Sequence, residues 1–101
     1  MPKLYEYFGL IIMFYANEHD PVHVHGKCQG RESRAGLVIV DGLVKEIRIL
    51  RQPGRSSLSD SEQRYFEEIV SVKADDIVQK WIDFFVLHKS ITPEVISRRL
   101  K

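Results

Sequence analysis

The feature of this chain that most constrains its fold is a pair of strand-like segments joined by only two residues. The segments span residues 33–40 and 43–51, and Asp41-Gly42 stands between them. This dipeptide suits the type I′ turn of a two-residue hairpin, in which both central residues adopt positive φ angles. The sequence therefore predicts two adjacent antiparallel strands in the middle of the chain.

Three segments before this hairpin also have the composition of strands. Residues 3–8 carry large apolar and aromatic side chains that suit a pleated surface. Residues 10–15 are apolar without alternation, which is typical of a central strand covered on both faces. From Val22 to about Gly30 polar and apolar residues alternate, as in a strand whose two faces meet different surroundings.

The second half of the chain is predicted to be helical. Ser59 and Glu62 have the spacing of a capping box, and the helix that they open bends or breaks near residues 71–73. A strong helical pattern then runs from Ala74 to about His88. Thr92-Pro93 resembles a cap followed by proline at the first helical position, so we expect a short final helix.

These elements indicate an α+β fold, because the strands come first and the helices last. We expect an antiparallel sheet of about four to five strands packed by two to three C-terminal helices. Strands would occupy about residues 3–51 and helices about 59–100, in a single domain over residues 1–101.

Composition sets further limits on the kind of protein. Cys28 is the only cysteine, which excludes an internal disulfide and a zinc site of the CxxC type and suits a reducing compartment. The apolar run at residues 10–15 is far too short to span a bilayer. We therefore expect a cytoplasmic protein with no membrane contact.

Three of the four histidines, His19, His23 and His25, fall within seven residues. In the alternating segment the odd positions His23, His25, Lys27, Gln29 and Arg31 would share one face of a strand, and the even positions would face the core. We expect the odd positions to form a cationic row that projects into water, and this row is the best candidate for a functional surface.

Three interpretations of the row stay open. As a metal site, His23 and His25 would lie about 7 Å apart, and His19 or Asp20 could supply a third ligand, although Lys27 opposes a divalent cation. As a nucleic-acid site, Lys27, Arg31, Arg51 and Arg55 would contact phosphate, while His19, His23 and His25 would act as acid and base in RNA cleavage. The third interpretation is a solvated strand edge without chemistry.

The last long helix poses a separate question. Apolar residues surround it almost completely, and Trp81, Phe84 and Phe85 are its largest side chains. Such a helix is buried on more than one side. If the rest of the chain does not cover these residues, they form an interface with a partner protein or in a homodimer.

The chain resembles a bacterial family, domain-of-unknown-function family 4160. The resemblance rests on Met1–Gly9, on Phe14–His25 and on the element His-x-Pro-x-His-Val-His, which here comprises His19, Pro21, His23, Val24 and His25. It implies a small prokaryotic protein that is encoded beside a small partner in a toxin–antitoxin-like gene pair. The family has no established activity, so the resemblance carries over no catalytic role.

The resulting hypothesis is a small protein of a toxin–antitoxin-like pair whose histidine row binds or cleaves RNA or DNA without a cofactor. One alternative is a non-catalytic module that binds a cognate protein from an adjacent gene, and another is a divalent-metal binder. The sequence does not decide whether the protein is an enzyme.

Overall fold

The computed structural model describes residues 2–15, 22–51, 54 and 56–100, with the side chain of Arg51 outside the described part. Within these residues a sheet is followed by helices, which confirms the predicted α+β fold. The elements in chain order are β1 (Lys3–Tyr7), β2 (Leu10–Met13), β3 (His23–Cys28), β4 (Arg31–Val40), β5 (Leu43–Arg51), α1 (Asp60–Val72), α2 (Ala74–Trp81), a π-helical segment (Ile82–Val86) and β6 (Glu94–Ile96).

Among the described residues the sheet has six strands in the order β5-β4-β3-β2-β1-β6, and the successive pairs from β1 to β5 are antiparallel. The predicted hairpin turn is confirmed, because Asp41 and Gly42 have φ angles of 53° and 79°. Gln29 and Gly30 form the same kind of turn between β3 and β4, with φ angles of 49° and 83°. Tight turns of this kind fix which side chains of neighbouring strands lie opposite each other.

The capping box that opens α1 is also confirmed. The backbone N–H of Ser59 donates to Oε1 of Glu62 at 2.8 Å, and the backbone N–H of Glu62 donates to Oγ of Ser59 at 3.3 Å. Glu62 also accepts a pair of hydrogen bonds from the guanidinium of Arg31, at 2.9 and 2.5 Å. These donors hold the pKa of Glu62 far below its ordinary value of 4.5.

We expect Glu62→Gln to lower the free energy of unfolding by about 1 kcal/mol at pH 7, because it weakens both the cap and the ion pair. A carboxylate with a lowered pKa stabilises the fold above its unfolded-state pKa and loses this effect as the pH falls. The difference between wild type and variant should therefore shrink below about pH 4.5. Urea unfolding at pH 7 and pH 3 measures this change.

Glu67→Gln is the matched control, because Glu67 is an exposed carboxylate on the same helix. It should change the free energy of unfolding by no more than about 0.5 kcal/mol at either pH. A Glu62→Gln deficit that is equally large at both pH values would contradict the prediction.

Helix α1 ends at Val72, and α2 begins at Ala74 after Lys73, so of the two alternatives left open by the sequence, a bend or a break, the structure has the break. The α-helix that was predicted to reach about His88 ends earlier, at Trp81, and continues as the π-helical segment. Among the described residues no helix has the length and apolar character needed to cross a bilayer.

The helices pack against one face of the sheet, which we call the helix face. It includes Val24, Gly26 and Ala35, and a Cβ atom on Gly26 would lie only 2.5 Å from the ring of Phe66 in α1. The hydrophobic core lies between this face and the helices. Its fully buried side chains include Leu4, Leu10, Ile12, Val24, Phe66, Ile69, Val70 and Ile77.

The prediction of a short helix after Thr92-Pro93 is wrong, because Glu94–Ile96 forms strand β6 parallel to β1. Strand β6 gains backbone hydrogen bonds from the open edge of β1, and a local helix would leave that edge unpaired. The residues that follow are held in place as well. The guanidinium of Arg99 pairs with Glu68, and the backbone N–H of Leu100 donates to the hydroxyl of Tyr7 at 2.9 Å.

Candidate functional site

Strand β3 confirms the period of two that the sequence predicts around the histidines. In its pairing with β4, His25 lies opposite Arg34 and Lys27 lies opposite Glu32. Residues directly opposite in an antiparallel pair project from the same face of the sheet. We call this surface, formed by His23, His25, Lys27, Glu32 and Arg34, the histidine face; it is opposite the helix face.

The prediction that the imidazoles project into water is wrong. His23 is 6% exposed and His25 only 1% exposed. The ring of Tyr15 packs edge-on against His25, with the ring centroids 4.4 Å apart. His23 lies between His25 and Trp81, at centroid distances of 5.3 and 5.5 Å. Both histidines are therefore part of the packed interior.

A buried carboxylate, Glu32, joins this cluster. Its Oε2 atom lies 2.9 Å from Nδ1 of His25, and the hydroxyl of Tyr15 donates to both carboxylate oxygens at 3.0 and 3.1 Å. Glu32 is 2% exposed, so these donors replace the water that the carboxylate loses on folding. An N–H on Nδ1 of His25 satisfies Glu32 whether the imidazole is neutral or charged. The three side chains thus form a hydrogen-bonded unit that fixes the histidine face.

Two cations of the histidine face have a different environment. Within the described part of the chain, neither Lys27 nor Arg34 forms an ion pair, and the Nε atom of Arg34 is buried without an acceptor. The Nζ atom of Lys27 lies 5.7 Å from the centre of the Tyr15 ring. A buried donor without an acceptor costs free energy. The Nε atom of Arg34 carries this cost, while the residue as a whole is partly exposed.

The face continues onto strand β5 and becomes exposed there. Leu50 lies opposite Arg34, and Arg48 lies opposite Gly36. The side chain of Arg48 is 62% exposed and donates from Nε to Glu46 at 2.7 Å. Gly36 places no side chain between β3 and this arginine. The histidine face thus reaches solvent along β4 and β5, where the charge of Arg48 is balanced by Glu46.

Arg31 does not belong to the predicted row. The Gln29-Gly30 turn ends β3 at Cys28, and Arg31 pairs with Cys28 on the face opposite to Lys27. There its guanidinium binds Glu62 in α1. Cys28 is only partly exposed, and burial raises the pKa of its thiol, which does not favour a nucleophilic thiolate.

The other predicted site residues can be placed only in part. His19 and Arg55 lie outside the described residues, and so does the side chain of Arg51. In the described ranges no group of three or more histidine, cysteine, aspartate or glutamate side chains could hold a metal ion. The described cluster contains two histidines and one carboxylate, and its carboxylate is already engaged by His25 and Tyr15.

Of the three residues predicted for an interface, Trp81 is 6% exposed and packs within the monomer against Phe14 and Phe85. Phe84 and Phe85 are half-buried and contact each other. The exposed apolar side chains of this region are Ile82, Val86 and Leu87.

Tyr15, Glu32 and Arg34 are the site residues that sequence reasoning missed. The sequence signal that could have located Glu32 and Arg34 was the Gln29-Gly30 dipeptide. A two-residue turn there places Lys27 opposite Glu32 and His25 opposite Arg34. Tyr15 had no such signal, because it follows β2 and no periodicity indicates its direction.

A family model described as "Domain of unknown function (DUF4160)" matches residues 9–82. The chain belongs to this family. No curated protein and no solved structure matches it. The matched region contains every residue of the histidine face, together with α1 and α2, whereas β6 lies outside it. In this DUF4160 protein the buried His25–Glu32 pair and the two cations beside it are the candidate functional site.

Proposed function

We propose that this DUF4160 protein binds nucleic acid through the histidine face and does not cleave it. Lys27 and Arg34 contact backbone phosphates in this proposal. The observation that carries it is that Lys27 and Arg34 lie on one face of the sheet, are both partly exposed, and form no ion pair within the described part of the chain. A phosphate oxygen is the kind of acceptor that a guanidinium binds best, because its planar donors match the phosphate geometry.

The buried cluster supports this proposal by keeping the charge of the face positive. Glu32 is the acid nearest to Lys27 in the sheet register, and its carboxylate is occupied by His25 and Tyr15. It therefore does not compete with phosphate for Lys27 and Arg34. Cations that are held on a rigid sheet bind a polyanion with less loss of side-chain entropy than cations on a loop.

Burial of the histidines favours binding over cleavage. A general acid or base must come within hydrogen-bond distance of the atom whose proton it transfers. The rings of His23 and His25 are 6% and 1% exposed, so substrate atoms do not reach them in this arrangement. We infer that both rings position the surface, and we expect no RNA cleavage above background.

The test is the affinity for a fluorescent single-stranded RNA, and for the DNA of the same sequence, over a series of salt concentrations. We expect Lys27→Gln and Arg34→Gln each to weaken binding about tenfold and to reduce the slope of log K against log salt by about one. Arg34→Lys keeps the charge but loses the planar guanidinium, so it should weaken binding with little change in the slope.

Arg64→Gln is the matched control. Arg64 is an exposed cation on α1, which packs on the opposite face of the sheet, so this variant loses the same charge and should bind as wild type does. No binding by the wild type at low salt, or an equal loss in all variants including Arg64→Gln, would contradict the proposal.

A cognate protein from a toxin–antitoxin-like gene pair is the second candidate. In this case acidic side chains of the partner pair with the partly exposed Arg34, and the exposed Ile82, Val86 and Leu87 provide apolar contacts. Binding of the protein encoded by the adjacent gene, lost in Arg34→Gln while nucleic-acid binding is absent, would favour this candidate.

A further inference from the structure

We propose that two copies of this protein associate edge to edge through β5, so that their two sheets become one. Strand β5 has nine residues and lies at the end of the strand order, with only β4 as its neighbour among the described strands. The other edge strand, β6, has three residues. Of the two edge strands in the described part of the chain, β5 alone is therefore long enough to support a ladder of backbone hydrogen bonds with another chain.

The side chains of β5 select a second copy as the occupant of this edge. A two-fold axis perpendicular to the sheet pairs residues of the same face, so the axis must pass midway between two copies of the same residue. A centre at Glu46 or Arg48 would place like charges opposite each other. A centre at Ile47 places Glu46 opposite the partner's Arg48, and by symmetry this pair occurs twice.

The charges on this edge would repel or fail to match most other strands, which is how edge strands usually avoid aggregation. Here Glu46 and Arg48 already bond each other within one chain at 2.7 Å and lie on the same face. In the Ile47-centred register the two pairs form a quartet of alternating charge. The edge thus disfavours unrelated strands and favours its own copy.

A groove beside β5 supports the same register. Between β5 and α1 lies a groove of about 410 Å³, lined by Ile47 and Ile49 of β5 and by residues of α1 that include Arg64 and Glu67. Ile49 is 42% exposed there. Pairing centred on Ile47 brings the partner's Ile47 onto the helix face beside this groove, and so covers apolar surface that is open in the single copy. The register shift near Lys45 leaves Glu46, Ile47 and Arg48 in regular pairing.

Charge exchange tests the proposal. In sedimentation velocity over a concentration series, we expect wild type to pass from monomer to dimer. Glu46→Arg and Arg48→Glu should each weaken the dimer about tenfold or more, because both cross-strand pairs become like-charged. The double variant Glu46→Arg/Arg48→Glu should regain the wild-type dimerisation constant, since the pairs are reversed and not lost.

Both side chains are more than half exposed, so the variants are expected to fold, and circular dichroism checks this. Phe84→Ser is the control for an alternative interface at the π-helical segment and should leave the dimer unchanged. A wild type that stays monomeric throughout, or a double variant that remains as weak as the single ones, would overturn the proposal.

A crosslink provides a second measurement that does not depend on charge. The axis through Ile47 places two Ile47→Cys residues opposite each other, at a Cα separation that a disulfide can bridge. Mild oxidation should therefore give a covalent dimer of Ile47→Cys. Ile49→Cys, which would lie opposite the partner's Lys45, should crosslink far less. Equal yields from the two variants would also overturn the register.

Discussion

Glu32→Ala is expected to lower the free energy of unfolding by about 3–5 kcal/mol, which is the usual cost of removing one partner from a buried ionic or hydrogen-bonded pair. The substitution leaves Nδ1 of His25 and the hydroxyl of Tyr15 without their carboxylate acceptor. His25 is 1% exposed, so water does not take the place of the carboxylate. Urea unfolding followed by tryptophan fluorescence measures the loss.

Glu94→Ala is the control for this prediction, because Glu94 is an exposed carboxylate in the same sheet. Its effect should stay within about 0.5 kcal/mol. A double-mutant cycle with His25→Ala should show coupling, so that removing both partners costs less than the sum of the single losses. Additive losses, or a Glu32→Ala variant as stable as wild type, would show that the buried pair does not stabilise the fold.

Gly26→Ala should lower the free energy of unfolding by about 1–3 kcal/mol, since the added methyl group overfills the core. Its Cβ would lie 2.5 and 2.8 Å from Cδ1 and Cε1 of the Phe66 ring. Phe66 is fully buried, so the ring moves only if α1 or its neighbours move as well. A melting temperature lower by about 4–8 °C for each kcal/mol is the expected readout.

Gly36→Ala is the matched control in the adjacent strand. A Cβ at Gly36 would meet only Cδ1 of Leu50, at 3.7 Å, which is an ordinary van der Waals contact. This variant should be as stable as wild type or slightly more stable, because alanine reduces the freedom of the unfolded chain. Equal melting temperatures for Gly26→Ala and Gly36→Ala would show that α1 does not pack closely on β3.

The parts of the fold that could be predicted from the sequence are those set by nearby residues. Asp41-Gly42 determines a turn through its own backbone preferences, and Ser59 with Glu62 determines a helix start through hydrogen bonds three residues apart. Strand β6 could not be predicted in this way. Its structure depends on the distant edge of β1, and this pairing prevails over the local preference of Thr92-Pro93 for a helix.

In the candidate site, too, the features set by nearby residues could be predicted and those set by distant residues could not. Alternation correctly predicted that His23, His25 and Lys27 share a face, but it cannot indicate what covers that face. The burial of His25 depends on Tyr15, from the segment after β2, and on Glu32, from β4. The prediction placed Arg31 on the wrong face because a tight turn at Gln29-Gly30 reverses the chain between Lys27 and Arg31. A period of two does not continue through such a turn.

The pairing of β1 with β6 has a consequence for synthesis on the ribosome. Strands β1 to β5 follow one another in the chain and can form their hairpins as they emerge, since their contacts are local. The edge of β1 that pairs with β6 stays unpaired until both helices and β6 have been translated. During that interval the nascent chain exposes an unpaired strand edge, and chaperones or neighbouring nascent chains can bind it until β6 arrives.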